Sequence, residues 1–124
     1  MTRSTLGQWL QQLESLHPTE IELGLDRVRA VAERLALLPW AIPTITIAGT
    51  NGKGSVAASC ETALTAMEVG VGVYTSPHFL AFNERIRVDG EAVPDAEIVA
   101  AFEQIDAARQ AVSLTYFEFA TLAA

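Results

Sequence analysis

The segment that sets the fold class reads Thr44-Ile45-Thr46-Ile47-Ala48-Gly49-Thr50-Asn51-Gly52-Lys53-Gly54-Ser55. Its first five residues are mostly β-branched and lie between turn residues, which predicts a strand over 44–48. Glycines then mark a loop, and the alanine-rich stretch up to Val69 predicts a helix. Residues 71–75 predict a second short apolar strand. A strand, loop, helix and strand in this order make a βαβ unit, which requires a parallel sheet.

The glycine loop has the chemistry of a phosphate-binding site. Glycines let successive N–H groups point at one anion, and the following helix adds its positive N-terminal dipole. Lys53 can reach the outer phosphates, and Ser55 offers a hydroxyl to Mg²⁺. The loop departs from the pattern G-x-x-x-x-G-K-[ST], because Ile47 stands in place of the first glycine and Gly54 in place of Ser or Thr. The alternative is a glycine-rich turn with an incidental lysine.

Helical patterns surround this unit. Apolar residues recur at helical spacing over 6–16, and His17-Pro18 ends that pattern. Thr115 and Glu118 have the capping-box spacing, which starts a helix at about Tyr116. Further helices are predicted over about 25–37 and from Pro94-Asp95 to about Val112, with an extended segment at 85–88 and a tight turn at Asp89-Gly90.

The last predicted helix reaches Ala124 without a residue that ends helices. Two parallel strands are also too few to cover the faces of four or five helices. We therefore expect that the chain is cut off within a domain.

Composition excludes several classes of protein. Half of the 124 residues are apolar and 19% are charged, which is ordinary globular usage. Eight basic against fifteen acidic residues give a net charge of −7, which opposes binding to nucleic acid or to an anionic membrane. The single cysteine, Cys60, excludes a disulfide framework and a multi-cysteine zinc site. We expect a cytoplasmic chain that holds any phosphate locally.

Residues 48–55 resemble the variant phosphate loop of the Mur-type ATP-dependent amide ligases, and their Gly54-Ser55 ending is similar to the folate branch of that superfamily. The other stretches that fit this branch are Ile21-Glu22-Leu23-Gly24-Leu25-Asp26-Arg27, Thr75-Ser76-Pro77-His78, Glu84-Arg85-Ile86 and Leu114-Thr115-Tyr116-Phe117-Glu118. All 124 residues resemble about the first third of the bacterial bifunctional dihydrofolate synthase/folylpolyglutamate synthase family.

The resemblance implies an α/β fold with a P-loop-type, mostly parallel sheet flanked by helices, the Mur ligase central domain, incomplete in this chain. It implies an N-terminal helical segment at 1–42 and the first part of the ATP-binding domain at 43–124. The implied activity joins L-glutamate to dihydropteroate or folates through an acyl phosphate, with ATP and Mg²⁺. By the same resemblance, the full-length enzyme is expected to be a monomer, and this chain alone to be inactive.

The resemblance also implies roles for single residues. Those expected at the ATP phosphates are Gly49, Thr50, Asn51, Gly52, Lys53, Gly54 and Ser55, with Lys53 catalytic. Ser76 is the first candidate magnesium ligand and Ser55 the second. The candidates for the pterin site are Glu22, Leu23, Gly24, Thr115, Tyr116 and Phe117.

Each role has a structural alternative. Ser76-Pro77 can simply start a turn, and His78 fits a structural hydrogen bond better than a catalytic role. Tyr116 and Phe117 can be core residues, and Thr115 a helix cap. For the whole chain, the alternatives are a kinase-like or GTPase-like P-loop protein and a non-catalytic nucleotide-binding fragment.

Overall fold

The structure is a computed structural model, and it describes residues 4–16 and 24–124. The chain forms two compact units, one of Met1–Ala41 with Asp95–Ala124 and the other of Ile42–Pro94. The predicted domains, 1–42 and 43–124, stay a prediction. The helices are α1 (Leu6–Leu16), α2 (Asp26–Arg34), α3 (Lys53–Ala66), α4 (Asp95–Arg109) and α5 (Tyr116–Ala123), and the strands are β1 (Gly72–Tyr74), β2 (Ile86–Val88) and β3 (Glu91–Ala92).

An aromatic cluster forms the core of the first unit. Phe102 of α4 and Phe119 of α5 are fully buried, and their ring centroids lie 5.6 Å apart with the edge of one toward the face of the other. Trp9 of α1 lies 5.9 Å from the ring of Phe102 and 6.2 Å from that of Phe119. These are the spacings at which aromatic rings attract each other. The apolar faces predicted from helical spacing therefore meet at this cluster.

The helix ends are set by local chemistry. The Thr115 hydroxyl accepts a hydrogen bond from the Glu118 amide at 3.1 Å, and the Glu118 carboxylate accepts one from the Thr115 amide at 2.9 Å. The capping box predicted for α5 is therefore confirmed. The second predicted helix is shorter than expected, because α2 ends at Arg34 and Ala36 takes a left-handed φ of 59°.

The second unit contains a three-stranded sheet in the order β1-β2-β3, and both pairings are antiparallel. The α/β class is as predicted, since the chain combines helices with a small sheet. However, the predicted strand at 44–48 does not form in the described structure. No described segment pairs with these residues, and Ile45 is 67% exposed. A strand needs a neighbouring backbone to take its hydrogen bonds, so the parallel pairing of the predicted βαβ unit is absent from this sheet.

Of the described helices, none combines the length and the apolar character that crossing a membrane requires.

Replacing Phe102 by alanine tests the aromatic cluster. We expect a loss of about 3–5 kcal/mol in the free energy of unfolding, because a fully buried ring leaves a cavity. Phe117→Ala is the matched control, since that ring is 54% exposed in the same unit, and its loss should stay below about 1 kcal/mol. Urea titration followed by circular dichroism measures both. Equal losses would contradict the assignment of the core.

Candidate functional site

The glycine loop turns the chain into α3 through a left-handed residue. Gly52 precedes the helix with φ 78° and ψ 4°, a conformation that a side chain disfavours. The first intrahelical bond joins the Val56 amide to the Gly52 carbonyl at 3.1 Å. The amides of Lys53, Gly54 and Ser55 therefore have no acceptor within the helix, and they are the groups that bind an anion at a helix N-terminus.

All seven residues predicted to contact phosphate are exposed, from Gly49 to Ser55. The two departures from the standard loop are compatible with this geometry. A Cβ built on Gly54 would meet no atom within 4 Å, so the backbone there is open to a ligand. Ser55 also lies in the first turn of the helix, with its hydroxyl exposed.

Ser76 and the glycine loop lie in the same compact unit. Within that unit, Arg87 of β2 pairs with Glu61 of α3 at 3.0 Å. This ion pair joins the helix that follows the glycine loop to the sheet whose first strand, β1, ends two residues before Ser76.

Ser76 opens a loop whose backbone is bonded to a single carboxylate. Glu84 accepts hydrogen bonds from the amides of Phe79, Leu80 and Ala81 at 2.9, 2.9 and 2.8 Å. These backbone donors, that of Phe79 first, hold the pKa of Glu84 below its ordinary value of 4.5. The carboxylate is therefore ionised at neutral pH.

His78 has a structural partner, as its alternative interpretation predicted. Arg85 Nε donates a hydrogen bond to His78 Nδ1 at 2.8 Å, and the imidazole lies edge-on to the ring of Phe82. The half-buried histidine is thus oriented by two neighbours within its own unit.

The predicted pterin residues that the structure describes lie in the first unit. Glu22 and Leu23 lie outside the described residues. Gly24 has φ 125° and is exposed just before α2. At the start of α5, Thr115 is a buried cap, Tyr116 is half-buried and Phe117 is 54% exposed. Phe117 is therefore not a core residue.

Arg27 joins the two sequence stretches that contain these candidates. Its guanidinium donates to both carboxylate oxygens of Glu118, at 2.8 and 3.0 Å, and to the Ser113 carbonyl at 3.1 Å. Burial raises the pKa of Glu118, but the Thr115 amide and the Arg27 guanidinium outweigh it and leave the pKa below 4.5. This pair brings the segment after Gly24 beside the start of α5.

Sequence reasoning gave no role to Arg27, Glu84 or Arg85, and it gave Glu118 only a role in the capping box. Arg27, Glu84, Arg85 and Glu118 all stand inside the quoted stretches. The signal available in the sequence was the presence of a charged residue within these stretches. Spacing predicted only the cap between Thr115 and Glu118, because the other contacts join residues on different elements.

Hydroxyl groups, not carboxylates, are the metal candidates here. Among the described residues, no three His, Cys, Asp or Glu side chains gather into a group that could hold a metal ion. Ser55 and Ser76 are both exposed and both belong to the second unit. Hydroxyl oxygens beside bound phosphates suit Mg²⁺, which takes few protein ligands and keeps several waters. The residues therefore fit this ion.

A glycine loop, a helix N-terminus with open amides, a lysine and two hydroxyls define a phosphate-binding α/β protein of the P-loop type.

Comparison with known proteins narrows this class. No family model matches the chain. The dihydrofolate synthase/folylpolyglutamate synthase of Escherichia coli K12 is 48% identical over 121 residues, which are 98% of this chain and 29% of that enzyme. The crystal structure of E. coli FolC with DHPP and ADP has a TM-score of 0.93 at 48% identity, covering 97% of this chain and 29% of that one. A bifunctional synthase with Mn, AMPPNP and L-glutamate bound has a TM-score of 0.89 at 51% identity, covering 97% of this chain and 29% of its own.

The chain thus belongs to the dihydrofolate synthase/folylpolyglutamate synthase family over the part that it spans. The resemblance predicted from the sequence is confirmed. The chain spans less than a third of the length of the relatives it matches.

Alanine substitutions at two neighbouring glycines test the geometry of the loop. We expect Gly52→Ala to lower the free energy of unfolding by about 1–2 kcal/mol, because its φ is 78°. Gly54→Ala is the control, since the helical site is open, and it should raise that free energy by up to about 1 kcal/mol. Urea titration followed by circular dichroism measures both. Effects of the same sign would contradict a left-handed Gly52.

The Arg27–Glu118 pair predicts a pH-dependent stability. Because the folded pKa of Glu118 is lowered, its contribution is present above 4.5 and is lost as the pH falls through the folded pKa. We expect Glu118→Gln to cost about 1–3 kcal/mol at pH 7 and progressively less in acid. Unfolding in urea across pH measures this, with the exposed Glu33→Gln as control. A cost that does not change with pH would contradict the ion pair.

Proposed function

We propose that the whole protein is an ATP-dependent amide ligase that joins L-glutamate to dihydropteroate, to folates or to both. The observation that carries this proposal is the glycine loop ending in Lys53, Gly54 and Ser55, with its amides open at the start of α3. It supports the proposal because relatives with DHPP, L-glutamate and adenine nucleotides bound share this fold at about half identity.

In the proposed reaction, a substrate carboxylate attacks the γ-phosphate of ATP, which gives an acyl phosphate and ADP. The amine of L-glutamate then attacks the acyl carbon, and inorganic phosphate leaves as the amide forms. ATP must first activate the substrate carboxylate, because neither carboxylate oxygen is an adequate leaving group when an amine attacks the carboxyl carbon. No nucleophilic side chain takes part.

The residues of this chain contribute mainly electrostatics and positioning. The amides of residues 53–55 orient the phosphates, and the Lys53 ammonium stabilises the charge that builds on the transferred phosphoryl oxygens. Ser76 and Ser55 would hold Mg²⁺, which supplies further positive charge at the phosphates. Gly24, Thr115, Tyr116 and Phe117 would shape the pterin site, with Phe117 as the exposed ring.

Several finer points stay predictions. They are the monomeric state of the full-length enzyme, its cytoplasmic location, and the inactivity of this chain on its own. Size-exclusion chromatography of the full-length enzyme tests the first. An assay of the 124-residue chain tests the last.

Replacing Lys53 tests the proposal directly. In the full-length enzyme, we expect Lys53→Ala to lower kcat for ADP formation, dependent on dihydropteroate and glutamate, by about 10²-fold. Arg29→Ala removes an exposed cation on α2 and is the control, with a rate within about twofold of the unchanged enzyme.

Two results would count against this proposal. One is near-normal turnover of Lys53→Ala, which would leave the ligase activity in place but remove the lysine from its mechanism. The other is nucleotide hydrolysis that needs neither dihydropteroate nor glutamate, or a preference for guanine nucleotides, which would favour a GTPase-like or kinase-like protein.

A further inference from the structure

The loop from Ser76 to Ala81 is ordered by hydrogen bonds, with little contribution from apolar burial. Phe79 and Leu80, its two large apolar residues, are both 94% exposed. Their side chains therefore contribute little free energy to the conformation of the loop. The groups that do hold this loop are the Glu84 carboxylate and the carbonyl and guanidinium of Arg85.

Glu84 binds the second half of the loop. Its Oε1 accepts from the Phe79 amide, and its Oε2 accepts from the amides of Leu80 and Ala81. Hydrogen bonds to an ionised carboxylate are about twice as strong as those between neutral groups. Three of them on one side chain restrict three consecutive residues.

Arg85 binds the first half of the loop. Its carbonyl accepts from the Thr75 amide at 2.8 Å, and its Nε donates to His78 at 2.8 Å. Its guanidinium carbon lies 5.4 Å from the ring centroid of the buried Phe82, a cation–π distance that also orients the arginine. Ser76 and Pro77 are thus bracketed by Thr75 and His78, both of which are bonded to Arg85.

We propose that Glu84 is a positioning residue, which through the backbone of residues 79–81 holds the loop that presents the Ser76 hydroxyl to the divalent cation. This inference rests on the metal role proposed above for Ser76. The Glu84 carboxylate accepts its hydrogen bonds from the amides of residues 79–81, so it acts through the loop. Replacing outer groups that orient a metal ligand typically lowers metal affinity or activity by about 10- to 100-fold.

Glutamine is the informative replacement at this position. It has nearly the same size, but it offers one acceptor oxygen where the carboxylate has two, and its NH₂ group faces backbone donors. Glu84→Gln therefore removes part of the hydrogen bonding to residues 79–81 without leaving a cavity.

The experiment measures Mg²⁺ binding to the full-length enzyme with ADP present, by isothermal titration calorimetry, and ADP formation against Mg²⁺ concentration with ATP, dihydropteroate and glutamate saturating. We expect Glu84→Gln to raise both the Mg²⁺ dissociation constant and the Mg²⁺ concentration for half-maximal rate about tenfold. Its kcat at saturating Mg²⁺ should stay within about twofold of the unchanged enzyme, and so should its KM for glutamate. Asp89→Asn is the matched control, because Asp89 accepts one backbone bond, from the Val71 amide at 2.9 Å, at the other end of β1. It should leave the Mg²⁺ dependence unchanged.

A double-mutant cycle with Ser76→Ala tests whether Glu84 acts through Ser76. If it does, Glu84→Gln should change the Mg²⁺ dependence less than about twofold once the hydroxyl is absent. Additive effects of the two substitutions would overturn the proposal. An unchanged Mg²⁺ dependence in Glu84→Gln would also overturn it.

A second variant covers the case in which Glu84→Gln does not fold. Glu84→Asp keeps the charge on a shorter side chain, and its Mg²⁺ requirement should rise with kcat preserved. A folded Glu84→Asp enzyme with an unchanged Mg²⁺ requirement would overturn the proposal.

The failure of this proposal can be told apart from the failure of the proposed function. If the unchanged enzyme forms no ADP with these substrates, the proposed function has failed. If that enzyme is active and the variants have an unaltered Mg²⁺ dependence, only the role of Glu84 is refuted.

Discussion

Backbone N–H groups without a backbone acceptor are the constraint on which the ordered loops of this chain depend. In both compact units, carboxylates satisfy such groups. Glu84 accepts from three amides, Glu118 from the Thr115 amide and Asp89 from the Val71 amide. At the start of α3, no intrahelical acceptor faces the first amides. An acidic chain thus uses its own carboxylates to order loops and leaves open the amides that can receive a phosphate.

The net charge of −7 makes this arrangement necessary for binding a nucleotide. Solvent-exposed carboxylates repel a triphosphate. The negative charge of a carboxylate that accepts hydrogen bonds from amides or pairs with Arg27 is partly neutralised. The attraction for phosphate is then concentrated at one helix N-terminus and at Lys53, the only lysine of the sequence. The net charge opposes a nucleic-acid surface but is compatible with a nucleotide site, because a local cluster of donors outweighs a diffuse charge at short range.

Patterns with a local cause could be predicted from the sequence with good accuracy. The α5 cap follows from two residues three positions apart, and α1 follows from apolar spacing alone. The glycine loop could be placed at the start of α3 because left-handed turns need glycine. The strand predicted at 44–48 does not form, because a strand has no purely local cause. Whether an apolar run becomes a strand depends on a second backbone beside it, and no described segment supplies one.

The sequence by itself determined the family, the phosphate loop and the identity of the candidate ligands, because these depend on residue types in a fixed order. Only the tertiary structure decided which side chains support them. Arg27 reaches Glu118 across 91 positions, and Arg87 reaches Glu61 across 26. Even the contacts of Glu84, which span three to five positions, depend on how the loop turns back. Spacing in sequence determines helix faces and caps, but a side chain that meets a distant backbone is placed by the whole fold, since every intervening dihedral contributes to its position.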